Sequence, residues 1–206
     1  MAFRKLREIG DVLTKYDLRF RLQDFVEAVL PYSVGDTFKQ DLAFVQENFP
    51  YKASEAAICE MIIFPILKEV WRVYRQNLML WSHRSIQFDK ELKGIPDYII
   101  AKQSERGPVV FEMPLLAVVE AKQDDFVEGW AQCALEMYTI QQINGRQDLK
   151  VYGIVSNGDN WEFGYLETKT FYQHTNSFSL SNLEQLFAAL DFVMRSCVLT
   201  SQNYEK

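Results

Sequence analysis

Three charged residues, Asp97, Glu120 and Lys122, have the types and spacing for metal-assisted hydrolysis of a phosphodiester. Glu120 and Lys122 close an apolar run, Leu115 to Val119, of the kind that forms a strand buried on both faces. Alternation along a strand puts both of them on one face and leaves the small Ala121 on the other. Asp97 stands near the start of a second extended segment, Ile95 to Ala101, which carries the β-favouring Tyr98, Ile99 and Ile100. The polar stretch Lys102 to Pro108, ending in Gly-Pro, reads as the hairpin loop between the two. Antiparallel pairing then brings Asp97 beside Glu120. Adjacent carboxylates repel unless a proton or a cation lies between them, and a hard divalent ion such as Mg2+ takes one or two carboxylates while keeping several waters. A lysine beside a metal-bound water can orient it or favour its hydroxide form, and the ion stabilises charge developing on a phosphoryl oxygen. The plainer alternative for the same residues is a solvated Glu120–Lys122 pair of little energetic value on two unrelated strands.

The elements that must hold these groups follow from periodicity. Residues 53–76 predict the strongest helix, with Ser54 as N-cap, Ile58, Ile62, Ile66, Val70, Val73 and Tyr74 on one stripe, and Pro65 as a kink. On its outer side Lys68, Arg72 and Arg75 lie in line, either as a solvated face or as a track for a phosphate backbone. Glu55 and Glu60 are its acidic candidates. Leu78 to Phe88 reads as the first strand of the sheet and contains His83, with Asp89 to Gly94 as the turn into the strand of Asp97. His83 and His174 are taken as packed or surface residues. After Lys122, Asp124 and Asp125 read as loop acids, one of them within possible reach of a second ion. A helix from about Phe126 to Ile143 then buries Trp130, Cys133, Ala134, Met137, Ile140 or Gln141, and carries Gln132 near its start. Lys150 to Ser156 is a short strand, Asn157-Gly158 a turn into Trp161 to Leu166, and Thr170 to His174 a further strand. Ser181 to Glu184 has capping-box form and opens a final helix to about Cys197, followed by a polar, frayed end. At the other end, charged and apolar residues alternate over residues 3–30, with Leu18, Leu22, Phe25, Val26 and Val29 at helical spacing before Pro31, and predict one amphipathic helix. Asp36 to Val45 fits either a strand or a short helix.

Pro96-Asp97 followed by Glu120-Ala121-Lys122 resembles the PD-(D/E)XK signature of the restriction-endonuclease-like nucleases, and the similarity extends from Ser54 to about Leu166. It is nearest to the N-terminal nuclease domain of type I restriction enzyme R subunits, whose first helix carries a glutamate followed ten residues later by proline, as Glu55 and Pro65 do here. Gln132 falls where these nucleases often have a glutamine, and Val155 to Phe163 resembles their next strand, turn and strand. The tyrosine commonly found four residues after that glutamine is replaced by Glu136, the nearest tyrosine being Tyr138. The resemblance implies an α/β fold with an αβββαβ core, a mixed sheet flanked by helices, and N-terminal helical and C-terminal strand and helix additions. It implies residues 51–206 as the nuclease domain with 1–50 packed on it, Mg2+ or Mn2+ held by Asp97, Glu120 and the Ala121 carbonyl, and DNA as substrate. Lys122 would position the attacking water. Glu55 would stand as a third carboxylate near the metal, and Gln132 would bond the water or a phosphate oxygen.

Composition sets limits on this. Nearly half of the 206 residues are apolar, enough for a substantial core, and no apolar run approaches membrane-spanning length. The first residues lack a signal-peptide core, so a cytoplasmic protein is expected. Cys59, Cys133 and Cys197 are widely spaced and odd in number, which predicts buried thiols rather than disulfides or a zinc cluster. A net charge of −6 counts against a generic nucleic-acid binder and requires any nuclease here to carry a local basic patch, although a carboxylate cluster awaiting a cation would itself lower the net charge. Two further arrangements are compatible with it: a nuclease-derived module that binds nucleic acid or protein without turnover, and a subunit that acts as a homodimer or with a partner subunit.

Overall fold

Strand β6 (Glu112–Ala121) runs through the middle of the molecule, with Leu115 to Ala121 all but inaccessible to solvent. Its continuous apolar sequence has two faces to bury. Leu116, Val119 and Ala121 enter one cluster, Leu115 and Val118 the other, so a helical layer is needed on each side. The structure, a computed structural model, describes residues 7–204.

The strands are β1 (Arg19–Gln23), β2 (Leu78–Ser82), β3 (Ile86–Gln87), β4 (Lys93–Gly94), β5 (Tyr98–Lys102), β6, β7 (Val151–Ser156), β8 (Asn160–Glu167), β9 (Thr170–His174) and β10 (Phe178–Ser179). The main sheet has the order β1-β9-β8-β7-β6-β5-β2, with β10 alongside β8. It is mixed: β6 and β7 are parallel, as are β1 and β9, and the other pairs are antiparallel. The crossover between β6 and β7 is α5 (Phe126–Asn144), which packs with α1 (Ile9–Tyr16) on one face. The opposite face is covered by α2 (Asp36–Asn48), α3 (Glu55–Ile58), α4 (Phe64–Tyr74) and α6 (Leu183–Tyr204). The protein is therefore a mixed α/β structure whose mixed sheet is flanked by helices. Among the described residues no helix is long and apolar enough to cross a membrane.

The helix expected over 53–76 is present but not uniform. Ser54 caps it, its hydroxyl accepting from the Ala57 amide at 3.1 Å. Between α3 and α4 the residues Cys59–Ile63 form a π-helical turn. Pro65 follows at once, and the wider turn absorbs its missing N–H and its ring without breaking the helix. Ile58, Ile62, Ile66 and Val70 are buried, whereas Val73 is 67% exposed and Tyr74 takes the inward position, donating to Asp191 at 2.6 Å.

Three boundaries differ from the sequence reading. The N-terminal stretch is not one helix: α1 ends at Asp17 in the left-handed region (φ 53°), and Arg19–Gln23 forms an edge strand. The alternation of Arg19, Phe20, Arg21 and Leu22 has the period of a strand, and pairing with β9 outweighs the helical spacing that the sequence suggests. The part of that stretch before Arg7 lies outside the described residues. The segment Leu78 to Phe88 is likewise broken. β2 stops at Ser82, His83 turns the chain with φ 49°, and β3 pairs with β4 in a separate small sheet. At the far end, α6 is capped by Asn182 rather than Ser181 and continues to Tyr204, whose hydroxyl donates to the Asn144 carbonyl at 3.1 Å. That bond anchors an end expected to fray. Asp36–Asn48 resolves as helix, and all three cysteines are buried and free.

The depth at which α5 sits decides what its side chains can reach. Gly153 in β7 leaves the space in which Cys133 Sγ and Met137 Sδ of α5 lie, 2.7 and 2.8 Å from where a Cβ would stand, and the facing Gly164 of β8 is similarly filled by Phe171 and Trp130. Gly153→Val should force α5 away from the sheet and cost about 1–3 kcal/mol in urea unfolding. Gly10→Ala, in α1 with open space around it, should be neutral or slightly stabilising.

Candidate active site

Tyr98 pairs with Val119 in the antiparallel β5–β6 ladder, so the next rung sets Asp97 opposite Glu120. Asp97 lies one residue before β5. Its Oδ2 accepts the Ala121 amide at 2.8 Å and its Oδ1 lies 3.5 Å from His83 Nε2. The same turn returns the His83 amide to the Asp97 carbonyl at 2.9 Å. Ala121 keeps its methyl in the opposite core cluster, as strand alternation requires.

Lys122 continues the parallel pairing beyond β6, its amide donating to the Ser156 carbonyl at 2.9 Å. Its side chain, only 12% exposed, runs across the first turn of α5. Gly129 makes that path possible: a Cβ there would stand 3.0 Å from Lys122 Cγ and 2.7 Å from Val155 Cγ1. The ammonium donates to Gln132 Oε1 at 3.0 Å and lies 3.9 Å from Glu55 Oε1 at the start of α3. Asp125, expected as a loop acid, instead caps α5 by accepting the Glu128 amide at 2.9 Å.

Glu120 is 1% exposed and faces Glu136 of α5, which is fully buried. The two carboxyl groups face each other in the buried layer, where adjacent negative charges repel unless a proton lies between them. Burial first, and then the neighbouring Glu136 charge, pushes Glu120 well above the usual carboxylate range. Burial also raises Glu136, to about 7, while the bonds it accepts from Glu120 and Gln132 work in the other direction. Gln132 Nε2 donates to Glu136 Oε1 at 3.4 Å, which links the lysine to the pair. Glu120 Oε1 and Glu136 Oε2 are buried without a hydrogen-bond partner.

The structure thus brings Asp97, Glu120, Lys122, Gln132 and Glu55 together. It does not bring Arg72 and Arg75 to them, since α4 carries both more than about 20 Å along the helix from Glu55 at 1.5 Å per residue. Arg72 is paired with Glu69 at 2.8 Å, and Arg75 donates to the Arg72 carbonyl at 2.8 Å. Lys68 is nearer, over the ring of Phe64, which stacks on Tyr98 beside Asp97. Glu136 and His83 belong to the cluster although the sequence reading gave neither a role. For Glu136 the available signal was an acid four residues from Gln132 on a helix buried over most of its circumference. For His83 there was none, because the turn that aims it depends on where β2 ends.

Asp97, Glu120 and the Ala121 carbonyl are all oxygen donors, the kind that a hard ion such as Mg2+ or Mn2+ accepts while retaining waters. The unpartnered Glu120 Oε1 supplies a free donor, so the residues present fit such an ion. Among the described residues no three His, Cys, Asp or Glu side chains are arranged to hold one by themselves, which leaves the remaining positions to backbone and solvent. No family model matches the chain, and no curated protein matches it.

The shared proton has a consequence in the metal-free protein. A carboxyl whose folded value is raised stabilises the fold below its unfolded value of about 4.3 and loses that contribution as pH rises through the folded one. With chelator present, stability should therefore fall from about pH 4.3 through 7 and go on falling above it as Glu120 loses its proton. The buried His174, lowered by desolvation, contributes the opposite slope below about pH 6.5. Thermal unfolding of Glu136→Gln beside wild type removes the His174 contribution by difference and should show a flatter profile over the same interval.

Proposed function

We propose that the chain is a metal-dependent phosphodiesterase with a restriction-endonuclease-like core, acting on DNA in the cytoplasm. The observation that carries this reading is the cross-strand meeting of Asp97 and Glu120 with Lys122 on the Glu120 face of β6, beside the α5 glutamine. The element order is in keeping with it: a helix, three strands in antiparallel register, a crossover helix and a parallel strand, with a small β3–β4 hairpin inserted between the first two strands.

Asp97, Glu120 and the Ala121 carbonyl would hold Mg2+ or Mn2+. Bound there, the ion supplies Lewis-acid stabilisation of a phosphoryl oxygen and a water of lowered pKa. Lys122, fixed by Gln132, would position the attacking water through its ammonium. Glu55, half exposed and 3.9 Å from the ammonium, balances its charge and would stand as a further carboxylate near the ion, directly or through water. Asp97 is the more accessible of the two acids, with 22% of its side chain exposed, and Glu120 lies beneath it.

A second reading is a module of the same fold that binds nucleic acid or a protein partner without turnover. It is favoured by the pairing of Glu120 with Glu136, which occupies one of the two acids, and by the net charge of −6. Plasmid nicking with Mn2+, paired with a mobility-shift assay in chelator, separates the two. Wild-type protein should nick, and Glu120→Gln and Lys122→Ala should each lower the rate by about 10²-fold or more while the melting transition stays cooperative. Nicking at the wild-type rate in both variants would remove the site, and retardation without nicking would favour the binding module.

A further inference from the structure

We propose that Glu136 is a positioning residue that acts through Gln132 to hold the Lys122 ammonium in place. Four side chains form a closed path between β6 and α5. Lys122 Nζ donates to Gln132 Oε1 at 3.0 Å, Gln132 Nε2 donates to Glu136 Oε1 at 3.4 Å, and Glu136 meets Glu120, two residues before Lys122 on the same strand face. A glutamine amide has one accepting and one donating end. Glu136 Oε1 takes the donating end of Gln132, which leaves the accepting end turned toward the lysine. Glu136 is also the immobile member of the path: it is wholly buried, one helical turn beyond Gln132, on a helix pressed against β7 by the absence of side chains at Gly153 and Gly129. An apolar residue at 136 would leave the Gln132 amide with one anchor instead of two.

The catalytic meaning of this arrangement rests on the hydrolytic reading above, but the arrangement can be tested without cleavage. The rate of amine labelling of Lys122, followed by peptide mass spectrometry in chelator, reports how long its ammonium is free of Gln132. Gln132→Ala should raise that rate about fivefold, the equilibrium factor expected for one side-chain hydrogen bond. Glu136→Leu should raise it by a similar factor, whereas Glu136→Gln, which keeps an acceptor in place, should stay within about twofold of wild type. Lys150 and Lys169, remote from the path, should label at unchanged rates in every variant and show that the fold is intact. Glu136→Met provides a second apolar variant should Glu136→Leu fail to fold. Wild-type labelling of Lys122 in the apolar variants would overturn the proposal, as would an acceleration that extends equally to Lys150 and Lys169. Nicking by the wild-type protein is measured in parallel: its absence would remove the hydrolytic reading and leave the labelling result to decide the role of Glu136.

Discussion

The close seating of α5 on the sheet is the constraint from which the rest of the site follows. Gly153 in β7 admits Cys133 and Met137, and Gly129 in the helix admits Val155 and the stem of Lys122. At that depth the two polar side chains on this part of α5, Gln132 and Glu136, have nowhere to go except onto Lys122 and Glu120. Moving an ionised carboxylate out of water costs several kcal/mol, more than a short contact with a distant lysine returns, so a proton is retained by the pair. A helix lying a little farther out would have let water reach both acids, and the shared proton would have been lost with the close contact.

The other face of the sheet is tied to the same spot by different means. The π-helical turn that accommodates Pro65 presents the Cys59 carbonyl to the Tyr98 hydroxyl at 3.1 Å, and Tyr98 is the residue after Asp97. Phe64, the first residue of α4, stacks on the same tyrosine ring. The helix that begins at Glu55 is therefore fastened to β5 one residue from the site, and its N-terminal acid reaches Lys122 from the side opposite α5. A proline in the middle of a helical pattern normally argues for a break. Here it coincides with a wide turn whose extra carbonyl contact locates a catalytic candidate, which gives the irregularity a structural purpose.

How much of this was legible depended on the range of the interaction. The strand arithmetic was local: the alternation of Glu120 and Lys122, and the antiparallel rung that sets Asp97 against Glu120, followed from a period of two and a hairpin. The helix caps at Ser54 and the apolar stripe of α5 were legible for the same reason. What failed were positions where a distant partner overrode a local pattern. Arg19–Gln23 lies within a helical spacing but pairs with β9, and the strand after Leu78 ends at Ser82 because His83, still bonded to the Asp97 carbonyl, takes a positive φ of 49°. The final helix outlasts its polar sequence because Tyr204 finds the end of α5.

Glu136 was illegible for a subtler reason. Set beside the nuclease pattern expected from the sequence, which has a tyrosine at this place, the acid reads as a mere departure. In three dimensions it changes the polarity of the site. Its Oε1 takes the donating end of the Gln132 amide, so the accepting end is left for Lys122. It also faces Glu120, so that the buried pair must keep a proton between them. One side chain on one helical turn thus both holds the amide that faces the lysine and shares a proton with Glu120. Neither could be read without knowing that α5 sits close enough for residue 136 to touch residue 120, and that distance is set by glycines in two other elements.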